Sequence, residues 1–445
     1  MSIKYQNILI FSVFLWYNSS VLVVIIILLL YHYYERLICI NANCTSSAQP
    51  ANDSIYIDKV SYAYFKLDTN DYEHIIMIKE NGMSIRPLKE LQIGDLIARI
   101  PIVQGGMGVG VSMAGLASAV ANEGGIGVIA AAGIGMLEPD GYTNFLEACK
   151  RRLRAEIREA RQATSGILGV NIMVALSNFA DMVTTSIEEG IDIIFSGAGL
   201  PLTLPKFLDG NHKTKLVPIV SSGRAAALIS KRWLNNYNYL PDAIVVEGPM
   251  AGGHLGFKAE EISNPGYSLE MLVPEVIKEM KPFVDKKQKA IPVIAGGGIY
   301  NGEDIYKFIE LGADGVQMAT RFVTTHECDA SIKFKQAYLD SSVDDVLIIK
   351  SPVGMPGRAL RNEFIDDVLA GKKTPFKCPY HCIVTCDYQN SPYCIAIALM
   401  NAQRGNMKHG LAFAGENVHR CEEITSVKEL MDSLVKEYQE AAQNA

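Results

Sequence analysis

From residue 100 onward, short apolar runs alternate with longer stretches that carry apolar residues at helical spacing. The apolar runs are rich in β-branched residues and end in glycine-rich turns, which is typical of buried strands. Eight such runs occur, at Pro101–Gln104, Gly127–Ala131, Leu168–Met173, Asp192–Ser196, Val217–Ser221, Ala243–Glu247, Pro292–Ala295 and Gly315–Met318. Helices are predicted between them, at Met113–Asn122, Phe145–Arg161, Phe179–Glu189, Arg224–Leu234, Leu269–Glu279 and Gly302–Leu311. This alternation predicts an α/β fold with a parallel sheet and right-handed crossovers.

Eight strand–helix units are the number that closes a (β/α)8 TIM barrel. The alternative is an open doubly wound sheet, which would carry a dinucleotide fingerprint at its first turn and an acid about 20 residues further on. Residues 105–110 (GGMGVG) are glycine-rich, but Glu123 lies in a turn after a helix rather than at the end of a strand. The pattern therefore favours the barrel.

The first 82 residues do not share this pattern. Their main feature is the apolar run Val21–Tyr31, which with the apolar residues before it is long enough to cross a bilayer. One interpretation is an N-terminal membrane anchor. The other is that translation starts at Met83, where the orderly pattern begins. Under either interpretation, we expect residues 1–82 to take no part in the chemistry.

Composition narrows the classes of function. Hydrophobic residues make up 49% of the chain, which is enough for a large core. The net charge is -7 and no run of lysine or arginine occurs, which argues against a nucleic-acid partner. Nine cysteines without regular pairing fit a reducing compartment.

The patterns along the chain divide it into three parts. We predict an N-terminal extension (1–82), a barrel (83–361) and a small C-terminal helical and irregular extension (362–445), with the catalytic part in the cytoplasm.

Glycines cluster where the predicted strands end, at Gly105-Gly106, Gly296–Gly298 and four other strand ends. In a TIM barrel these ends meet on one face, which carries the active site. Glycine there lets the backbone approach a ligand closely. The turns after the seventh and eighth strands form the standard phosphate site of such barrels.

Several segments resemble the nitronate monooxygenase family, in order and spacing. They are PIVQGGMGVGVSMAGLASAVANEGGIGVIA, GVNIMV, SGAGLP, EGPMAGGHLG, IPVIAGGGIYNGEDI and GADGVQMATRF, between about Leu91 and about Arg361. Enoyl-acyl-carrier-protein reductase II shares this barrel and most of these motifs. The resemblance thus implies an FMN-binding barrel more specifically than it implies one reaction.

The resemblance also implies a set of cofactor-binding residues. Gly105, Gly106 and Met107 would line the isoalloxazine, Asn171 would touch the ring or ribityl chain, and Gly252 would border the flavin. The phosphate would be held by Gly296, Gly297, Gly298, Gln317, Met318, Ala319 and Thr320. Glu247 stands where many relatives have glutamine, which places a carboxyl near the flavin.

His254 aligns with the active-site histidine of the family and is the predicted catalytic residue. Histidine is the usual side chain for proton transfer near neutral pH. It could remove the α-proton of a nitroalkane when neutral, or stabilise a bound nitronate when protonated. The sequence leaves both roles open.

The C-terminal region contains Cys378, Cys382, Cys386 and Cys394 within 17 residues. Their spacing lacks the paired CxxC of common zinc sites, so reduced thiols are favoured over a metal site. If this stretch were helical, the first three would share one face. The residues Ser426–Ala442 predict an amphipathic helix that covers the barrel.

Three functions follow from these observations. The favoured one is oxidation of alkyl nitronates, or of the parent nitroalkanes, by FMN and O₂. The alternatives are NAD(P)H-dependent reduction of an enoyl thioester and a flavin-binding sensor without turnover. We expect a small-molecule substrate as partner, no nucleic acid and no metal, a homodimer as one possible assembly, and a membrane contact only if the N-terminal segment is an anchor.

Overall fold

The computed structural model describes residues 88–445, except for His212, 373–377 and Pro379; before residue 88 it describes only the backbone of five strands. The chain divides into two compact units, Met1–Met83 and Ser84–Ala445. The five early strands form one two-stranded and one three-stranded antiparallel sheet. They are Leu9–Tyr17, Ser20–Leu28, Ile55–Ile57, Tyr62–Thr69 and Tyr72–Lys79.

The two interpretations of the N-terminal apolar run concern residues whose side chains lie outside the described part of the chain. Among the described residues, no helix combines the length and apolar character that a membrane crossing requires.

The second unit contains a closed barrel of eight parallel strands, as the sequence predicts. The strands are β1 (Ile102–Gln104), β2 (Ile126–Ala130), β3 (Ile167–Met173), β4 (Ile193–Gly197), β5 (Lys215–Val220), β6 (Ile244–Glu247), β7 (Val293–Gly296) and β8 (Gly315–Met318). Each strand pairs with its neighbours in chain order, and β8 pairs with β1 to close the barrel. All eight lie within two residues of the predicted runs. Both faces of these strands are buried, which explains their continuous apolar sequences.

Helices surround the barrel. They are α1 (Ala114–Asn122), α2 (Phe145–Ala163), α3 (Phe179–Glu188), α4 (Gly223–Tyr237), α5 (Leu269–Lys287), α6 (Gly302–Glu310), α7 (Thr320–Val323), α8 (Ile332–Leu339), α9 (Glu363–Leu369), α10 (Ile395–Gln403) and α11 (Val427–Asn444). The six predicted helices are confirmed as α1 to α6. Strand β4 is followed by the 3-10 turn Leu204–Phe207 instead of an α-helix.

The predicted C-terminal helix is confirmed as α11, but its place differs from a simple cover. It packs against α6, α1 and α7, which is the position of the eighth helix in the ring around the barrel. A capping box between Ser426 and Glu429 begins the helix. Gly302 at the start of α6 lies against the α11 backbone, where a Cβ atom would come within 2.1 Å of the Tyr438 nitrogen.

The hairpin Leu91–Ile93 and Leu96–Ala98 closes one end of the barrel. Leu91 and Ile93 are fully buried in the cluster that fills the barrel interior. The turn of the hairpin contacts Lys215, the first residue of β5, so the hairpin lies at the amino ends of the strands. The carboxyl ends at the opposite face are left open for a site.

A small antiparallel sheet lies outside the barrel at that open face. We call it the outer sheet, and it consists of Gly253–His254, Pro356–Leu360 and Val346–Lys350, in that order. The segment that carries His254 is thus held by a strand about 100 residues further along the chain.

Candidate active site at the carboxyl ends of the strands

A cavity of about 280 Å³ opens at the carboxyl ends of the barrel strands. It brings together every predicted site residue except Gly296. These are Gly105, Gly106, Met107, Asn171, Glu247, Gly252, His254, Gly297, Gly298, Gln317, Met318, Ala319 and Thr320. Gly296 is the last residue of β7 and is buried in the sheet, where its carbonyl accepts a hydrogen bond from the Gly248 amide. It does not line the cavity, because β7 continues one residue further than the sequence predicts, and its role in holding the phosphate stays a prediction.

Three polar side chains line this cavity from different strands. Asn171 lies on β3, Glu247 ends β6, and Gln317 lies on β8. None of the three makes a side-chain hydrogen bond within the described residues, although polar groups in such positions are normally paired. Their surroundings therefore suit a polar ligand that lies across the barrel mouth.

The turn after β7 has free backbone donors. Gly297 and Gly298 have φ values of +96° and +91°, which favour glycine. Their amides donate no hydrogen bond to the described part of the chain. A Cβ atom on Gly297 would lie 2.9 Å from the Gly248 carbonyl oxygen, so a side chain would not fit. Unpaired amides beside the start of α7 form a suitable cradle for an anion such as a phosphate.

Asn417 holds this turn in place. Its Nδ2 donates a hydrogen bond of 2.6 Å to the Gly298 carbonyl. Close by, the Gly415 amide donates to Thr320 Oγ1 at 3.1 Å, which connects the same C-terminal loop to the turn after β8. These contacts could not be predicted from the local sequence, because Asn417 lies 119 residues from Gly298.

His254 lies on the outer sheet and faces the cavity. Its Nε2 is 2.7 Å from Ser351 Oγ, and its ring packs edge-on against Phe413 with 4.9 Å between centroids. Nδ1 has no hydrogen-bond partner within the described residues. Burial lowers the pKa of the His254 imidazole to about 4, so the ring is neutral at neutral pH.

Glu247 shows the opposite effect of burial. It is seven residues before His254 and lines the same cavity. Burial raises the pKa of its carboxyl to about 7, because no cation lies close enough to favour the ionised form. The carboxyl that the family resemblance placed near the flavin is therefore partly protonated at neutral pH.

Arg358 organises the loop between these two residues. Its guanidinium donates to the carbonyl oxygens of Pro249 at 2.5 Å and Ala251 at 2.8 Å, and pairs with the Glu416 carboxylate at 2.6 Å. The side chain is 4% exposed. Arg358 was not among the predicted site residues, because nothing in its local sequence indicates which carbonyl groups it reaches.

The outer part of the cavity is apolar and comes mostly from the C-terminal extension. Its lining residues include Leu176, Val353, Ile383, Ile395, Leu399 and Phe413. Cys382 also lines it, and burial raises the pKa of that thiol to about 12. This region would contact an apolar part of a ligand.

The helical arrangement considered for Cys378, Cys382 and Cys386 is wrong. The described residues there form turns and an isolated bridge, and α10 begins only after Cys394. Among the described residues, no group of three or more histidine, cysteine or acidic side chains is arranged to hold a metal ion.

The barrel and this cavity define the class of protein: a TIM barrel with a ligand site at the carboxyl ends of its strands. A sequence model of the nitronate monooxygenase family matches residues 90–437. Because the match covers more than half of the chain, the protein belongs to this family, whose members are flavin-dependent oxidoreductases.

Individual relatives are distant. A 5-hydroxy-7a-methyl-1-oxo-octahydro-1H-indene-4-carboxyl-CoA dehydrogenase from Mycobacterium tuberculosis is 29% identical over 276 residues, which cover 61% of this chain and 66% of that protein. A protein named probable nitronate monooxygenase from Staphylococcus saprophyticus is 28% identical over 297 residues, 61% of this chain and 78% of its own. The structure of FabK from Thermotoga maritima superposes with a TM-score of 0.60 at 28% identity, and the match covers 77% of this chain and 94% of that one.

Proposed function

We propose that this chain binds FMN and oxidises alkyl nitronates with O₂. The observation that carries the proposal is the neutral His254, which has a free ring nitrogen beside a cavity with a polar inner part and an apolar outer part. The family and the probable nitronate monooxygenases among its relatives support the same reaction.

The residues present fit FMN. Asn171, Glu247 and Gln317 offer unpaired polar groups to the edge of a flavin ring, and the amides of Gly297 and Gly298 offer donors to one phosphate. This set of donors accounts for one phosphate, which is the number that FMN carries. When bound, the flavin supplies the redox chemistry that side chains lack.

The chain's own residues would bind and orient the substrate. A nitronate is a delocalised anion, and no lysine or arginine lines the cavity within the described residues. Its negative charge would therefore be stabilised by hydrogen bonds, with His254 as one donor. A neutral imidazole donates from one nitrogen, and the contact with Ser351 fixes the orientation of the ring.

A second function has a specific observation in its favour. The apolar outer lining from Leu176, Ile383 and Leu399 suits an acyl chain, and the Mycobacterium tuberculosis relative is named for a carboxyl-CoA substrate. NAD(P)H-dependent reduction of an enoyl thioester is therefore the alternative on the same barrel.

Cofactor content and oxygen uptake test the proposal together. The purified protein should be yellow, release FMN on heating, and consume O₂ when a preformed nitronate is added. Release of FAD, or no uptake of flavin on reconstitution, would contradict the cofactor assignment. An FMN-loaded protein that consumes no O₂ with any nitronate would contradict the reaction.

A further inference from the structure

The outer part of the main cavity has an apolar wall that belongs to a packed hydrophobic cluster. Five residues both line the cavity and take part in that cluster, namely Val353, Ile383, Ile395, Leu399 and Phe413. We call these five residues the apolar wall. The cluster behind them is buried, so packing holds the wall in shape. Ile383 and Leu399 are only partly buried, which leaves apolar surface that a ligand can cover.

The apolar wall reaches the histidine of the site. Phe413 packs edge-on against the His254 ring, with 4.9 Å between the centroids. The Phe413 carbonyl accepts a hydrogen bond from the Tyr338 hydroxyl, which fixes the backbone at this point. A ligand whose polar end lies beside His254 would therefore extend its other end along Phe413 towards Leu399.

The cavity has no fixed positive charge to receive a second anionic group. Its titratable lining residues in the described part of the chain are Glu247, His254, Tyr338 and Cys382, and neither lysine nor arginine is among its lining residues there. A carboxylate placed against the apolar wall would lose its water without gaining a partner, which is strongly unfavourable. The lining thus favours an uncharged group at this end of the ligand.

A second cavity, of about 250 Å³, offers a less suitable place for an apolar group. It shares Glu247 and His254 with the main cavity, but its lining also includes Ser221 and Ser222. A hydrocarbon that covers hydroxyl groups removes their water and offers them no hydrogen bond. The apolar wall carries no such cost.

We propose that the substrates of this chain are nitronates with an extended, uncharged hydrocarbon group, and that the apolar wall binds this group, with Leu399 as a specificity-determining residue. This inference rests on the proposed function and adds the substrate class to it. The wall acts through binding alone, because each methylene that leaves water for an apolar surface stabilises the complex.

A chain-length series in the FMN-loaded, full-length protein tests the proposal. The nitronates of nitroethane, 1-nitrobutane and 1-nitrohexane are compared by oxygen uptake, and kcat/KM should rise about threefold for each added methylene. The nitronate of 4-nitrobutanoate, which ends in a carboxylate, should have a kcat/KM at least about tenfold below that of 1-nitropentane. Equal values along the series, or a carboxylate substrate as good as its uncharged counterpart, would overturn the proposal.

Leu399→Asn tests the wall itself, because a hydrocarbon that covers the new amide must displace its water. The ratio of kcat/KM between the nitronates of 1-nitrohexane and nitroethane should fall by about tenfold, mainly through KM. Ile397→Asn is the matched control, since Ile397 lies on the same helix but does not line the cavity, and it should keep the parent's ratio. An unchanged ratio in Leu399→Asn would contradict the proposal. If this variant fails to retain FMN, the series in the parent still decides.

Failure of the proposed function has a different signature, which a binding measurement reveals without turnover. Linear alkan-1-ols from butanol to octanol are titrated by calorimetry into the FMN-loaded parent, and their affinity should rise about threefold per methylene. If the parent oxidises no nitronate but binds the alcohols in this way, the reaction is wrong and the apolar wall stands. If nitronates of all lengths are oxidised equally and the alcohols show no dependence on length, the function stands and the wall falls.

Discussion

The surroundings of His254 and Glu247 change the chemistry that their residue types suggest. A histidine ordinarily titrates near neutral pH and a glutamate well below it. Here burial lowers the pKa of the imidazole and raises that of the carboxyl, so the group that titrates near neutral pH is the glutamate. Both positions could be predicted from the sequence, because they belong to one local motif. The directions of the shifts could not, because burial causes both and depends on segments far along the chain, such as that of Ser351, 97 residues from His254.

The lowered pKa of His254 predicts a loss of stability in acid. Its folded value is about 4 against 6.5 for the free side chain, so the unfolded chain binds more protons between these values. The contribution of His254 is complete above the unfolded pKa and is lost as the pH falls through the folded pKa. His254→Gln should remove up to about 3 kcal/mol of this acid sensitivity.

Urea unfolding of the FMN-free protein near neutral pH and near pH 4.5 measures this effect. The parent should lose more unfolding free energy than His254→Gln between the two conditions. The exposed His409→Gln is the matched control and should follow the parent. Equal losses in the parent and in His254→Gln would show that the folded imidazole titrates normally.

At the scale of elements, the barrel strands were predictable and the elements that complete the site were not. Each strand is a buried apolar run that its own sequence reveals, whereas the outer sheet pairs Gly253–His254 with Pro356–Leu360 across a long chain separation. In the same way, α11 could be predicted as an amphipathic helix, but its place as the eighth helix of the ring depends on contacts with α1 and α6. Non-local pairing of this kind leaves no local pattern.

Arg358 is the residue whose replacement should separate the outer sheet from the His254 loop. Arg358→Met leaves the carbonyl groups of Pro249 and Ala251 without their donor and Glu416 without its partner. The expected destabilisation is about 2 kcal/mol, less than for a fully buried pair because Glu416 is partly exposed. Turnover should fall as well, since His254 is displaced.

The substitution Arg358→Lys should not restore either property, because an ammonium group cannot bridge two carbonyls and a carboxylate in one plane. Arg361→Met removes an exposed ion pair with Asp366 and serves as the control, with a small effect expected. Thermal unfolding and steady-state rates check both. An Arg358→Met protein as stable and active as Arg361→Met would show that the His254 loop keeps its conformation without the contacts of Arg358.

At the scale of the whole molecule, every proposed site residue lies in the unit Ser84–Ala445. A chain that starts at Met83 should therefore fold, bind FMN and turn over like the full-length protein. Absorbance of bound flavin and oxygen uptake, compared for both chains, provide the check. A truncated protein that loses flavin or aggregates would show that residues 1–82 support the barrel. N-terminal sequencing of the native protein is a separate test, and it distinguishes an N-terminal anchor from a start of translation at Met83.

Oxidation of nitronates through the flavin of this barrel can be observed directly by anaerobic mixing. The yellow protein is mixed without O₂ with a preformed nitronate, with NADH and with NADPH in separate experiments, while the flavin absorbance is followed. A nitronate-oxidising flavoprotein should be bleached rapidly by the nitronate and slowly or not at all by either nicotinamide, and its colour should return when O₂ is admitted. Rapid bleaching by NADH or NADPH with no response to the nitronate would contradict nitronate oxidation and would assign the barrel to the reduction of an enoyl thioester.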